Sequence, residues 1–287
     1  MPGPATRVAI DLTGGQIRVV AGALGGPMRC GSGGTPSGSL VDGKVLDPNG
    51  VGSALRQLLA RTEIEETRAL IAASDAVATF RVLRLPSSPS DQDVDAAVAR
   101  ELPLDPERMA TRWLDLNTGP NGRLVYAVSW DRSLIKNITD AARFAGLDPI
   151  AVDLKSACVA RAVAEPACVV LDMASNPTEI ILIDGHIPQV WHSFRLDVAV
   201  GEDVVPALTG PLRTVLRFYK RRRDTEFEST APIIVAGEQV LSSWATTALS
   251  RQLEHPVVPL GIPVRVPPDV RFATYLTCLG LLMRRSL

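Results

Sequence analysis

The sequence predicts an α/β protein of two lobes, and three observations predict it. Short apolar runs alternate with helical patterns along most of the chain, the mark of strand–helix–strand architecture. Two stretches share one design of strand, aspartate, small polar turn and strand: residues 7–22, around Asp11-Leu-Thr-Gly-Gly15, and residues 168–185, around Asp172-Met-Ala-Ser-Asn-Pro-Thr178. The chain has 287 residues and 46% hydrophobic content, enough for a large core. Either hairpin alone is explained as plain structure. The pair points to two related halves, each offering a loop to something held between them.

In order, strands are expected at Val8–Leu12 and Ile17–Ala23, with loop or weak strand through the Gly- and Ser-rich stretch Gly25–Gly43. From Asn49 to Arg61 the residues Val51, Leu55, Leu58 and Leu59 fall on one helical face. Ala69–Ala73 and Val77–Leu85 read as a strand pair around Ser74-Asp75. After the breaker cluster Pro86-Ser-Ser-Pro-Ser-Asp91, Ser90 caps a helix over Asp91–Glu101, whose early aspartates suit the positive end of the helix dipole. Strands follow at Arg112–Asn117 and Arg123–Ser129, a helix at Asp131–Ala145, a short strand at Ala151–Asp153 and a helix at Lys155–Ala164. Beyond the central hairpin come strand Gln189–Leu196 and helix Val204–Arg223, with Pro211 near a start or kink. Strand Ile233–Gly237, helix Leu241–Leu253, extended pieces at Val257–Pro259 and Val264–Val266, and helix Phe272–Arg285 complete the chain.

Composition narrows the function. A formal net charge of −1 gives no electrostatic case for nucleic acid or a membrane surface. Four scattered cysteines (30, 158, 168, 278) read as buried thiols of a reducing compartment, not a zinc cluster. The N-terminal residues lack a signal region, and no apolar run approaches the ~20 residues of a spanning helix, so a cytoplasmic location is expected. The three histidines have no ligand spacing, and no Gly-x-Ser-x-Gly elbow marks a hydrolase. Lys220-Arg-Arg-Arg223 fits a solvated helix C-terminus better than a lipid contact.

The turns carry the chemistry. Glycine lets backbone N–H groups approach a phosphate, and Thr13-Gly14-Gly15 followed by Gln16 meets that need. Asp11 and Asp172, at strand ends, have the hard oxygen donors that Mg²⁺ prefers. Ile233–Gly237 is a third strand–glycine element, suited to a nucleoside against the backbone.

In this order the three elements resemble the actin-like (ribonuclease H-like) fold. The middle of the chain resembles the PilM family of type IV pilus assembly proteins, relatives of FtsA. It does so through Val77–Pro86 ending in Leu-Pro, Asp93–Glu101 before Leu102-Pro103, and Leu124–Ser129 with Ala145-Gly-Leu147, Asp148-Pro149 and Val152-Asp153. Pro211–Tyr219 and Thr277–Arg284 add to it. The resemblance implies two actin-like lobes, residues 1–85 with 148–164 and 270–287, and residues 165–269. Residues 86–147 form a small inserted α+β interaction subdomain. It implies ATP and Mg²⁺ as cofactors, with Asp11 and Asp172 on the metal and Thr13, Gly14, Gly15, Gln16, Arg18, Ser175, Asn176, Thr178, Gly237 and Glu238 on the nucleotide. It also implies, as partner, the cytoplasmic tail of a PilN-type bitopic inner-membrane protein, contact with the membrane only through that partner, and assembly of copies into a ring or filament.

Departures from the family pattern oppose nucleotide binding. Thr13, Arg18 and Ala174 stand for a glycine, a lysine and a glycine; Pro177 removes a donor; Glu238 brings negative charge to a polyanion; and a short Arg195–Gly210 segment precedes the Pro211 helix. The expectation is a degenerate actin-like ATPase acting as adaptor, with no catalytic residue. The alternatives are an active ATPase with Asp11 and Asp172 on Mg²⁺, an FtsA-like polymer, and a sugar-kinase-type enzyme, for which no catalytic aspartate motif stands out.

Overall fold

Two five-stranded sheets carry the chain in a computed structural model. It describes residues 6–86, 89–102, 105–119, 122–174, 177–198, 203–223, 227, 230–237, 241–261, 263–268 and 270–284. The first sheet uses β1 (Val8–Asp11), β2 (Gln16–Gly22), β3 (Met28–Gly34), β6 (Arg68–Ala73) and β10 (Asp148–Leu154), in the order β10-β6-β1-β2-β3. The second uses β11 (Cys168–Asp172), β12 (Thr178–Asp184), β13 (Ile187–Phe194), β14 (Ile233–Ala236) and β15 (Val257–Pro259), in the order β13-β12-β11-β14-β15. Each sheet is an antiparallel three-strand meander extended by two parallel strands. The register repeats as well: Asp11 faces Arg18 across the first hairpin, and Asp172 faces Glu179 across the second.

Alternation along the strands sorts side chains into layers. Val8 and Ile10 point toward α1 (Pro48–Arg61) and α3 (Arg132–Phe144), in a core that includes Leu55, Leu58 and Ile138. Val169 and Leu171 point toward α5 (Val205–Arg223) and α6 (Ser243–Leu253), with Leu208, Leu212 and Leu249. The opposite faces, Ala9 and Ala72 from one sheet and Val170 and Ile181 from the other, close on a shared middle layer of α4 (Lys155–Ala162) and α7 (Leu276–Leu282). Small residues suit that layer, because two sheets and two helices meet there.

A separate three-stranded sheet, β7-β9-β8, is formed by β7 (Ala78–Leu85), β8 (Met109–Gly119) and β9 (Gly122–Asp131). It is covered by α2 (Asp91–Glu101) over Leu83, Val94, Val98 and Val125. Ser90 and Asp93 close a capping box on α2, as the sequence predicts. Sheet pairing draws this inserted unit as Ala78–Asp131, whereas the sequence drew residues 86–147. The difference lies in β7, which pairs with β9, and in α3, which packs on α1.

Several expectations are corrected. Ala69–Ala73 and Val77–Leu85 are not a strand pair: β6 lies parallel between β1 and β10, while β7 leaves for the inserted sheet. Ser74 caps a single 3-10 turn, Asp75–Val77, which redirects the chain between them. Part of the Gly25–Gly43 stretch is regular strand, β3 along the whole of β2, with β4 (Leu40–Val41) and β5 (Lys44–Val45) as a small ribbon beyond. Glycine suits β3 because a Cβ on Gly31 would sit 2.4 Å from Thr62 Cγ2 at the α1 end, forcing that side chain to move. The last helix covers Leu276–Leu282, not Phe272–Arg285, and α4 ends at Ala162, not Ala164.

Candidate functional site

The two aspartate hairpins face each other across the middle layer, and the loops after β1 and β11 meet at its end. In the first loop the Thr13 N–H and hydroxyl both donate to Asp11 Oδ1, at 2.9 and 2.6 Å. This turn holds Thr13 and Asp11 buried and fixes the aspartate in place. Gly14 is buried, while Gly15 and Gln16 are exposed at the tip. Arg18, buried one strand over, reaches across to the second loop and donates to the Ala174 carbonyl at 2.6 Å.

In the second loop the Ala174 N–H donates to Asp172 Oδ1 at 2.9 Å, the counterpart of the Thr13 bond. Thr178 is buried beside it. Gly237, at the end of β14, has φ +103°, and a Cβ there would lie 2.3 Å from the Ala174 nitrogen. The third glycine element therefore rests directly on the backbone of the second loop. Ser175, Asn176 and Glu238 lie outside the described residues.

Between the loops sits a residue the sequence reading did not single out. Lys155, the first residue of α4, places its Nζ 2.7 Å from Asp172 Oδ2 and 2.5 Å from Glu179 Oε2. All three side chains are almost completely buried. Burial alone pushes the Lys155 pKa down, but Asp172, Glu179 and Asp11 outweigh it and raise it, so the ammonium is charged. Burial acts upward on Asp172 too, yet Lys155 holds that carboxyl below its usual range. Glu179 goes the other way, raised by burial despite the same partner.

A second buried group flanks Lys155. Asp75, from the turn after β6, accepts from the Ser156 N–H at 2.9 Å, and the Ser156 hydroxyl donates to its other oxygen. Leu154 gives α4 no side-chain cap, so Asp75 caps it from a distant part of the chain. Desolvation pushes the Asp75 carboxyl up to about 7, against the lowering effect of Ser156.

Two signals for this cluster lay in the sequence. A lysine in a helix's first turn opposes the dipole, and Glu179 opens an otherwise apolar strand. Both mean a cation and an anion held by something other than their own element. The contact between them spans the two halves and has no local pattern.

A cavity of about 370 Å³ opens beside the cluster. Thr13, Asp42 and Ser74 line it from the first lobe; Glu179, Trp191, Phe194 and Arg195 line it from the second. Interlobe space is thus present. Toward Mg²⁺, however, the donor set does not fit: Asp172 Oδ2 and Glu179 Oε2 are both turned onto the Lys155 ammonium, Asp172 Oδ1 accepts from Ala174, and Asp11 Oδ1 accepts twice from Thr13. Among the described residues no group of three or more His, Cys, Asp or Glu is arranged to hold a metal ion.

No protein-family profile matches the chain, and no curated protein matches it. Solved structures do. A chain of the PilM–PilN type IV pilus biogenesis complex superposes with a TM-score of 0.75 at 20% identity, covering 96% of this chain and 97% of that one. A Bacteroides thetaiotaomicron protein with an actin-like ATPase fold and unknown function gives 0.56 at 10% identity, over 98% and 96%. The cytoplasmic domain of EpsL, an inner-membrane component of the type II secretion system of Vibrio cholerae, gives 0.52 at 10% identity, over 86% and 94%. The fold is actin-like. Among the described residues no helix is long and apolar enough to cross a membrane.

Proposed function

We propose that the protein is a cytoplasmic actin-like adaptor of a type IV pilus or related secretion machine, with a degenerate nucleotide site. Its partner is the cytoplasmic tail of a PilN-type bitopic inner-membrane protein, and that partner brings it to the membrane. The observation that carries this reading is the superposition on a chain of a PilM–PilN complex over nearly the full length of both. A second secretion-system component shares the fold.

The inserted unit supplies a surface for a tail. A groove of about 550 Å³ runs between α2 and β8, with Val98 and Ala99 on one side and Trp113 and Leu114 on the other. Trp113 is fixed by its Nε1–H donating to Asp95 at 2.8 Å and by the Arg123 guanidinium over its ring. Leu114 is 65% exposed. β8 is also an edge strand, which an extended peptide can pair with while seating side chains in the groove. Copies joined in a ring or filament would use other surfaces of the same unit.

The nucleotide site is read as degenerate because Thr13 and Ala174 carry Cβ atoms where close approach to phosphate is needed. In addition, the acidic residues that would meet a metal are already paired. A pull-down with the full chain from an inner-membrane extract should capture a bitopic protein through its cytoplasmic tail, and Leu114→Asp should abolish the capture. A fluorescent-ATP titration should show no tight, Mg²⁺-dependent binding. Capture unaffected by Leu114→Asp removes the groove from the reading; tight Mg²⁺–ATP binding with hydrolysis lost in Asp11→Ala and Asp172→Ala replaces it with an active ATPase.

A further inference from the structure

We propose that the outward face of α5 and α6, on the second lobe, is a weak docking surface for an anionic lipid bilayer. This goes beyond the adaptor reading and does not depend on it.

The chain as a whole is near neutral, with a formal net charge of −1, but its charge is unevenly spread. α5 carries Arg213, Arg217 and the run Lys220–Arg223, α6 carries Arg251, and neither helix has an acidic residue. The helix dipole accounts for the run that ends α5 and for Arg251 in the last turn of α6. It does not account for Arg213 and Arg217, which stand mid-helix. Arg213 donates to the Gln252 carbonyl at 3.1 Å and so ties the two helices together. Arg217 is exposed and has no such task. Among the described residues Arg217, Arg221 and Arg251 form no ion pair.

Both helices pack on the same side of the second sheet, so their outward sides form one face of the molecule. On α5 the residues Leu208, Leu212, Val215 and Tyr219 are buried, and Arg217 and Arg221, one turn apart, lie opposite them. On α6 the buried residues are Leu249 and Leu253, and Trp244 and Arg251, two turns apart, lie opposite. Phe218, next to Arg217, is 50% exposed and Trp244 is 59% exposed. An exposed aromatic alone needs no explanation. Two of them on helices that carry only positive charge match a bilayer surface, where cations meet anionic headgroups and aromatic rings settle at headgroup level. Nucleic acid is matched less well, because its bases stack on aromatics along a groove and these two rings stand on separate helices. The acids that follow stand beyond the helix ends: Glu254 after α6, and Asp224, Glu226 and Glu228 after α5, the last three outside the described residues.

The test is flotation of the full chain with vesicles of phosphatidylcholine alone and of phosphatidylcholine with about one-third phosphatidylglycerol, whose headgroups supply the negative surface. Wild type should float with the mixed vesicles at low salt, stay behind with the neutral ones, and be released by high salt. Arg217→Gln/Arg221→Gln should weaken binding by about fivefold for each arginine removed. Phe218→Ser should weaken it further, and tryptophan emission should shift to the blue on binding in wild type but not in Trp244→Phe. All these positions are exposed, so each variant should melt with wild type; if the double variant melts lower, Arg251→Gln takes its place and should lose about fivefold. No binding to mixed vesicles at low salt, equal binding to neutral ones, unchanged binding in the arginine variant, or an emission shift kept in Trp244→Phe overturns the inference. So does tighter binding to a double-stranded DNA fragment that the same variant abolishes, which assigns the face to nucleic acid. Failure to capture a bitopic protein bears on the adaptor reading alone, since the vesicles contain no protein.

Discussion

Asp75 shows how one side chain links three parts of the molecule. Its carboxylate caps α4 through Ser156 and lies within electrostatic reach of Lys155 and Glu179, while its backbone opens the 3-10 turn between β6 and β7. Full burial raises its pKa from 3.8 to about 7. A carboxyl whose folded pKa is raised binds more protons folded than unfolded, so its effect on stability is most favourable below pH ~4 and is lost as pH climbs through about 7. Between pH 5 and pH 8 the wild type should lose up to ~3 kcal/mol from this group. Asp75→Asn keeps an oxygen for the Ser156 N–H and cannot ionise, so its urea midpoint should fall far less over that range. Equal pH slopes for the two proteins would mean that Asp75 is already ionised in the fold at pH 5. At this scale the sequence was legible where a residue type announces a local turn, as at Asp11-Leu-Thr-Gly-Gly15 and Asp172. It did not show how Lys155, Asp75 and Glu179 pair, because their partners lie 17 to 81 positions away in the hydrogen-bond and ion-pair network.

Elements were legible in proportion to their periodicity. α1 announces itself by an apolar face and α2 by a cap, and both stand where the sequence places them to within a residue or so. β6 and β7 do not, because two adjacent apolar runs look alike whether they pair with each other or with different sheets. α7 shows the opposite problem: Leu276–Leu282 is buried on every side, so it has no face to reveal and its start was misjudged. Its position explains Gly280. A Cβ at that glycine would lie 1.9 Å from the Cys158 carbonyl oxygen of α4, so the two helices touch backbone to backbone at the centre of the shared layer. Helix propensity alone favours Gly280→Ala by about 1 kcal/mol. Packing decides otherwise: forcing the helices apart between two sheets should destabilise by roughly 2–3 kcal/mol net. A Tm for Gly280→Ala at or above that of wild type would show that the layer can widen freely.

The whole molecule is one design used twice, with a third small sheet let into the first half. The two five-stranded sheets repeat order, register and the position of the aspartate, and this doubling is what the paired hairpins foretold. The inserted sheet has a different physical character. Strands β1 and β11 are buried at every position, whereas β9 alternates between buried and half-buried residues and β8 exposes Arg112, Leu114 and Asp115. Its apolar cluster is small, and the chain enters and leaves it once, at Ala78 and Asp131. Local opening free energies follow buried apolar contact and strand position. Amide hydrogen exchange should therefore be slowest in β1, β6 and β11, intermediate in β9 and fastest in edge strand β8. If β8 is the strand to which a partner's tail adds, its protection should rise sharply when the tail binds, while β1 and β11 stay unchanged because they are already closed. A β8 as protected as β1 in the free protein would make the inserted sheet part of one cooperative unit with the lobes and leave its edge unavailable to a peptide.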